Sequence, residues 1–458
     1  MSAPEHAGST GWRDDARAAD AWQGVHVCVA GLGMSGAAVA RVLDERGAHT
    51  TTVDARLGND TALPPDAELV VTSPGWRPTH PLFAQAAARG VEVWGDVELA
   101  WRLRDPAVPW LGVTGTNGKT TTVRMLASML SASGHRAVAA GNVGLALLDV
   151  VLADPPYDVL AVELSSYQLH WTSTVACRAA AILNLAPDHL DWHGSFESYA
   201  ADKARIWADG TLAVFNADDD ATRRLAADRH DSRPPPVSFT LTEPASGQLG
   251  VVAGAMVERG DGDSSVELAP LEAVQPPAPH NVANALAAAA LARAVDLAPE
   301  AVRAGLRGFS PDPHRIAHVG SVGGVDYIDD SKATNTHAAA ASLAAFHPVV
   351  WIAGGLAKGA DFAELVAGAA ARLRGVVLLG RDRALIADAL ARHAPDVPVV
   401  DVPGTDTGAM DDVVRAARVL ARPGDTVLLA PACASMDMFT NYGERGDAFA
   451  AAVRRLDS

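Results

Sequence analysis

Residues 111–122 read LGVTGTNGKTTT: an apolar strand end, a glycine-rich loop, then Lys119 and three threonines. That order constrains the fold before anything else does, because it needs a buried strand feeding a tight turn that opens a helix. The glycines let backbone N–H groups turn inward onto a phosphate, Lys119 reaches the outer phosphates, and the Thr120 hydroxyl can sit on a magnesium ion. Gly112, Gly115 and Gly118 lie three apart, off the common Walker spacing. A plain glycine turn capping a helix would explain the glycines, but not strand, lysine and hydroxyl in sequence. The segment points to ATP or GTP and to use of its terminal phosphate.

Strands and helices alternate on both sides of this loop. The segment VHVCVAGLGMSGAAVARVLDERG reads as strand, glycine turn and helix; TTVDAR ends a second strand at Asp54, and ELVVTSPG a third at Pro74–Gly75. After the loop, DVLAVELSS, CRAAAILNL and TLAVFNADD are apolar at nearly every position, as in buried parallel strands. Short alternating stretches over 237–270 suggest a small hairpin-rich insert, and RGFSPDPHR a linker. VDYIDD, PVVWIAGG, GVVLLG and DTVLLAPA then carry a last series. The expected fold is α/β with three domains at 21–108, 109–312 and 313–458, after a disordered lead over 1–20.

The formal net charge of -17 argues against general affinity for nucleic acid or anionic membrane. Cys28, Cys177 and Cys433 are too few and scattered for a disulfide framework or zinc site. Residues 1–20 lack the apolar core of a signal peptide, and the alanine-rich run near 285–295 is too short to span a bilayer. A cytoplasmic protein is expected, with no membrane insertion. Nothing demands an oligomer, so the expected state is a monomer.

Other strand ends carry chemistry. GLGMSG at 31–36 opens a helix, with Asp54 ending the next strand, and suits a dinucleotide or a sugar-nucleotide diphosphate as well as simple tight packing. Glu163 in ELSSYQL stands where a carboxylate can complete a magnesium shell with Thr120, or cap a helix. NLAPDHLDWHG gathers Asp188, His189, Asp191 and His193, and Lys203 follows fourteen residues after His189. Taken alone, Lys203 reads as a surface lysine. In the last unit, DDSKATN, GGLAKGADF and PACASMDMFTNYGERG place Lys332, Thr334, Lys358 and Ser435 at strand ends, like a carboxylate pocket. Arg315 in PHR can cross to phosphates or form a rim ion pair.

In order, GLGMSG, SPG, GVTGTNGKTTT, ELSSYQL, NLAPDHLDWHG, HNVANALAA, PHR, DDSKATN, GGLAKGADF and PACASMDMF resemble the Mur ligases over nearly the whole chain from about residue 22. The resemblance implies a Rossmann-like N-terminal domain for a UDP-linked substrate, a central phosphate-loop ATPase domain with a mainly parallel sheet, and a Rossmann-like C-terminal domain. It implies ADP-forming amide synthesis: ATP and Mg2+ activate the carboxylate of UDP-N-acetylmuramoyl-L-alanine, and the amine of D-glutamate attacks the acyl phosphate.

Carried over position by position, Gly115, Thr116, Asn117, Gly118, Lys119, Thr120 and Thr121 would hold ATP. Asn281 and Asn284 would lie by the adenine, with Arg315 and Asp330 completing that site. Thr120, Glu163, His189 and a carbamylated Lys203 would hold metal; Lys119, Glu163, His189 and Lys203 would form the catalytic set. Met34, Ser35, Asp54, Arg56, Gly75 and Asn142 would bind the UDP substrate. Lys332, Thr334, Lys358, Ser435 and Tyr442 would bind D-glutamate.

The chain departs from the family pattern in places. Tyr442 stands where Phe is frequent, Ala140 precedes Gly141 in place of a second glycine, a proline-rich stretch precedes His280, and Ile316–His318 lack the usual acidic residue. Within the family, DDSKATN with GGLAKGADF favours D-glutamate over a diamino acid, whose distal group needs an acidic or Arg-bearing pocket. A folate polyglutamate ligase would lack the GLGMSG domain. Outside the family stand a nicotinamide-dependent oxidoreductase fused to a phosphate-loop domain and a nucleotide-switched binding protein without chemistry.

Overall fold

The computed structural model describes residues 11–18, 20–229, 234–262, 264–311, 313–404 and 406–456. The chain forms two compact units, residues 1–277 with 281–309, and residues 278–280 with 310–458. The first unit carries two sheets and the second carries one.

The first sheet is β1 (His26–Ala30), β2 (His49–Val53), β3 (Leu69–Thr72) and β4 (Glu92–Gly95). Its order is β2-β1-β3-β4, all parallel. β1 is buried along its length, and the chain reverses direction across the sheet there, which leaves the loop after β1 at the carboxyl-end crevice where ligands of open α/β sheets bind.

The second sheet is built from β5 (Trp110–Thr114), β6 (Ala137–Gly141), β7 (Val159–Glu163), β8 (Ala179–Ile182), β9 (Leu212–Asn216), β10 (Val237–Phe239), β11 (Gln248–Val252), β12 (Ala255–Arg259) and β13 (Ser265–Pro270). The order is β13-β12-β11-β10-β9-β8-β5-β7-β6. It is parallel from β6 to β11, and β11, β12 and β13 close it as antiparallel hairpins. The hairpins expected over 237–270 therefore extend the central sheet. β5, β7 and β8 are buried at every position, because helices cover both faces. β5 lies between β7 and β8, so its phosphate loop also opens at a switch point.

In the second unit the strands are β14 (Ala317–Val322), β15 (Val325–Asp329), β16 (Val349–Gly354), β17 (Leu373–Leu379), β18 (Val399–Asp401) and β19 (Thr426–Leu429). They run in the order β14-β15-β19-β16-β17-β18, with only β14 antiparallel. Asp329 and Ile352 both register with Leu429, which brings the ends of β15, β19 and β16 level.

One sequence expectation is corrected. A disordered lead over 1–20 runs too far: residues 11–14 are helical, and Trp12 and Trp22 are fully buried. Their rings stack 5.8 Å apart, and Trp12 meets Trp94 edge-on at 5.0 Å. Two indoles outweigh the polar residues around them, because each removes a large apolar area from water. Residues 1–10 of that lead lie outside the described residues. All three cysteines are buried and free. Among the described residues no helix is long and apolar enough to cross a membrane.

Candidate active site

The phosphate loop leaves β5 and opens the helix Lys119–Ala132. Gly118 adopts φ +84°, and a Cβ there would stand 2.3 Å from Asn284 Oδ1, so glycine is required both by backbone conformation and by the close approach of Asn284. The helix begins without a side-chain cap, which leaves its first N–H groups directed at the space over the loop. Lys119 Nζ donates to the carbonyls of Gly115 and Thr116, both at 3.0 Å. Asn184 at the end of β8 braces the loop from beneath: it accepts from Asn117 N at 2.9 Å and donates to Asn117 O at 3.1 Å. Thr116 Oγ1 lies 2.9 Å from the Tyr199 hydroxyl. Asn281 and Asn284 are buried on the helix Pro279–Arg293.

Glu163 closes β7 and is 2 % exposed. Its Oε1 accepts from Asn142 Nδ2 at 2.9 Å, and its backbone carbonyl accepts from Asn142 N at 2.9 Å. Its Oε2 is buried with no hydrogen-bond partner among the described residues. A buried carboxylate oxygen left open in this way fits a divalent cation. Lys203, on the helix Phe196–Ala204, is also 2 % exposed, and so is not the surface lysine it resembles in isolation. Its Nζ donates to Gly115 O at 2.8 Å and to Thr114 Oγ1 at 3.2 Å. Burial, then the like charge of Lys119, pushes its pKa well below the usual lysine range; Asp188 and Glu163 oppose this.

His189 adopts φ +53° and packs its ring 4.9 Å from that of Tyr167. Among the described residues no group of three or more His, Cys, Asp or Glu is close enough to hold a metal.

At the end of β1, the helix Met34–Glu45 also starts without a side-chain cap. Asp54 Oδ2 accepts from Leu32 N at 2.8 Å, which ties the glycine turn to the next strand end. Its carboxylate grips Arg56 at 2.8 and 2.9 Å, and those bonds hold its pKa far below the ordinary value. Met34 is 72 % exposed, an apolar side chain left in the open at the uncapped start of that helix. Gly75 is exposed, and a side chain there would meet open space.

The second unit groups its own candidates. Lys332 Nζ lies 3.8 Å from the centroid of the Tyr442 ring. Thr334 follows on the same loop, its N–H bonded to Lys332 O at 2.8 Å. Leu356 and Ala434 exchange backbone bonds of 2.8 and 3.0 Å, which couple the Lys358 loop to the Ser435 loop. Lys358 adopts φ +49°. Arg315 sits between His314 (φ +63°) and Ile316 (φ +48°), a strained setting for a β-branched neighbour. Asp330 is buried and accepts from Ser342 Oγ; burial raises its pKa to about 6 against the pull of that bond and of Arg315.

Two family models match the chain: the Mur ligase middle domain over residues 113–292, and the Mur ligase glutamate ligase domain over 314–433. The chain is 60% identical to a UDP-N-acetylmuramoylalanine--D-glutamate ligase of Streptomyces coelicolor, covering 95% of this chain and 99% of that one. The ligase of the same name from Thermobifida fusca is likewise 60% identical, over 95% and 99%. The chain belongs to the Mur ligase family.

Solved structures share the fold at low identity. UDP-N-acetylmuramate-alanine ligase of Thermotoga maritima superposes with a TM-score of 0.55 at 20% identity, covering 95% of this Mur ligase and 99% of that chain. A pseudomurein peptide ligase type C from Methanothermus fervidus gives 0.58 at 18%, over 94% and 100%. Escherichia coli FolC in complex with ADP gives 0.56 at 19%, over 79% and 93%.

Two further residues stand in motifs that the sequence shows, but their partners are not legible there. Asn184 is legible there only as part of a strand-end motif, because its bond to Asn117 spans 67 positions. Ser73 lies in the SPG turn, two residues before Gly75. Its Oγ is buried without a hydrogen-bond partner among the described residues, against Gly31 and Gly36 of the glycine turn.

Proposed function

We propose that this Mur ligase joins D-glutamate to UDP-N-acetylmuramoyl-L-alanine at the expense of ATP, releasing ADP and phosphate in peptidoglycan precursor synthesis. The observation that carries the reading is 60% identity over 99% of a relative bearing that activity in its name, with the phosphate loop at the switch point of the central sheet. Residues 21–108 would hold the UDP substrate, 109–312 the ATP, and 313–458 the amino acid. The protein would act as a cytoplasmic monomer.

A carboxylate is a poor electrophile, and the reaction must activate it. Transfer of the terminal phosphoryl group of ATP to the carboxylate gives an acyl phosphate. The amine of D-glutamate attacks its carbonyl carbon, a tetrahedral intermediate forms, and phosphate leaves with the original carboxylate oxygen. Phosphoryl transfer needs positioning and positive charge more than covalent help. Backbone N–H groups of residues 115–119 and Lys119 would meet the phosphates. Lys119 would exchange its bonds to Gly115 O and Thr116 O for phosphate oxygens.

A bound magnesium ion would supply positive charge to offset the charge developing on the transferred phosphoryl group. Thr120, Glu163, His189 and carbamylated Lys203 would hold it. Carbamylation turns an amine into an anionic ligand and suits a lysine whose burial favours the neutral, nucleophilic form. Asn142, fixed by Glu163, would orient the acyl group. Lys332, Thr334, Lys358, Ser435 and Tyr442 would bind D-glutamate, with Arg315 and Asp330 contributing to the nucleotide.

A coupled ADP-release assay across an amino-acid panel tests the reading. Turnover should require UDP-N-acetylmuramoyl-L-alanine and D-glutamate together; full rates with L-glutamate or L-lysine would refute it.

A further inference from the structure

Arg445 lies on the helix Tyr442–Leu456 and is 1 % exposed. Its three donor nitrogens all go to neutral oxygens. Nε donates to Ser331 Oγ at 2.9 Å, Nη2 to Ser331 O at 2.8 Å, and Nη1 to Cys433 O at 3.1 Å. Burying a guanidinium is costly, and burial lowers its pKa to about 10, against the nearby charges of Asp437 and Asp329. A leucine or methionine would fill this volume at less cost, so the charge calls for a use beyond filling the core.

The acceptors indicate the use. Ser331 directly precedes Lys332 on the loop after β15, and Cys433 lies two residues before Ser435 on the loop after β19. One planar guanidinium thus fixes the separation of two loops that carry candidate substrate residues. Ser331 Oγ passes the constraint on, donating to Tyr442 O at 2.7 Å, at the start of the helix whose first ring faces Lys332. Ser331 N in turn donates to Asp329 Oδ1 at 2.9 Å, and Asp329 Oδ2 lies 2.6 Å from His314 Nδ1. The Lys358 loop joins through the Leu356–Ala434 bridge.

We propose that Arg445 is the positioning residue of the amino-acid pocket: it touches no substrate, and it sets the distance between Lys332 and Ser435 by clamping Ser331 and Cys433. The proposal rests on the reading that these loops bind D-glutamate. Lysine can keep the charge but cannot make the fork of bonds to two loops. The clamp therefore acts through geometry, and its loss loosens the grip on the amino acid while leaving the sites for the other two substrates intact.

The test compares Arg445→Lys and Ser331→Ala with the full-length wild type, measuring KM for each substrate, kcat and Tm. Arg445→Lys should raise KM for D-glutamate about tenfold or more, with KM for ATP and for the UDP substrate within about twofold. Ser331→Ala loses only the hydroxyl links and should raise it about threefold. It keeps the test open if Arg445→Lys does not fold. A lower Tm with an unchanged D-glutamate KM in the folded variants would make Arg445 a purely structural residue and overturn the proposal. A wild type whose turnover ignores D-glutamate would instead overturn the reading beneath it.

Discussion

The side-chain nitrogen of Lys203 donates a 2.8 Å hydrogen bond to the carbonyl oxygen of Gly115 in the phosphate loop. A residue on a later helix is thereby locked against the nucleotide loop, in a buried setting that favours the neutral amine. The neutral amine is the form that adds carbon dioxide. Lys203→Ala should lose about a hundredfold or more in kcat, the scale for removing one preorganised charge-stabilising group. Added short carboxylates such as acetate or formate should restore part of the rate. Wild-type-like turnover, or no response to carboxylates, would remove the carbamate from the mechanism.

Lys119 is the second lysine at this loop, and its side chain bonds two loop carbonyls. Lys119→Ala should lower ATP-dependent ADP release by about a hundredfold or more. Binding of the UDP substrate, followed by calorimetry, should remain measurable. Undiminished ATP hydrolysis would contradict the assignment of the loop.

The phosphate loop, the alternation of strands and the strand-end positions of Glu163, Lys332, Lys358 and Ser435 are legible in the sequence because each is a local pattern. The apolar runs of β5, β7 and β8 announce buried parallel strands. The place of Trp12 is not legible, because composition over twenty residues hides two indoles that meet only in the folded sheet region. Arg445 and Asn184 escape notice for another reason: their partners lie 114 and 67 positions away. A buried lysine such as Lys203 also carries no local mark, since only its bonds to Thr114 and Gly115, 89 and 88 positions away, separate it from a surface lysine.

Gly141 ends β6 at φ +98°, and a Cβ there would stand 2.2 Å from the backbone carbonyl oxygen of Glu163. That oxygen cannot swing away without breaking its bond from Asn142 N. Gly141→Ala should destabilise the protein by about 1–3 kcal/mol or more. It should also depress kcat beyond the loss of folded protein, because Asn142 and Glu163 move together. An unchanged denaturation midpoint would show that the strand end tolerates the methyl group.

Asp330 gives a pH dependence whose sign can be worked out. Its pKa rises on folding from 3.8 to about 6, chiefly through burial, so the folded state prefers the protonated acid. The associated stability is full below about pH 3.8 and is lost as pH rises through about 6. Asp330→Asn keeps an acceptor for Ser342 and cannot ionise. Relative to this variant, the wild type should lose about 2–3 kcal/mol between pH 4 and 7, since each tenfold change in proton affinity is worth about 1.4 kcal/mol. Urea denaturation of both proteins across that range checks it, and parallel profiles would contradict the buried ionisation. ATP use should also fall in the variant if Asp330 serves the nucleotide.

Trp12 tests whether the N-terminal segment belongs to the first sheet's core. Its ring is fully buried between Trp22 and Trp94, and Arg13 reaches Glu92 of β4 at 3.1 Å. The exposed ion pair adds little, so the anchoring falls to the indole. Trp12→Ala should cost about 3–5 kcal/mol, the range for removing a large buried aromatic. Arg13→Ala should cost less than about 1 kcal/mol. Urea midpoints of the two variants separate the contributions. Equal, small shifts would mean that the segment rests on the surface and that the sheet is complete without it.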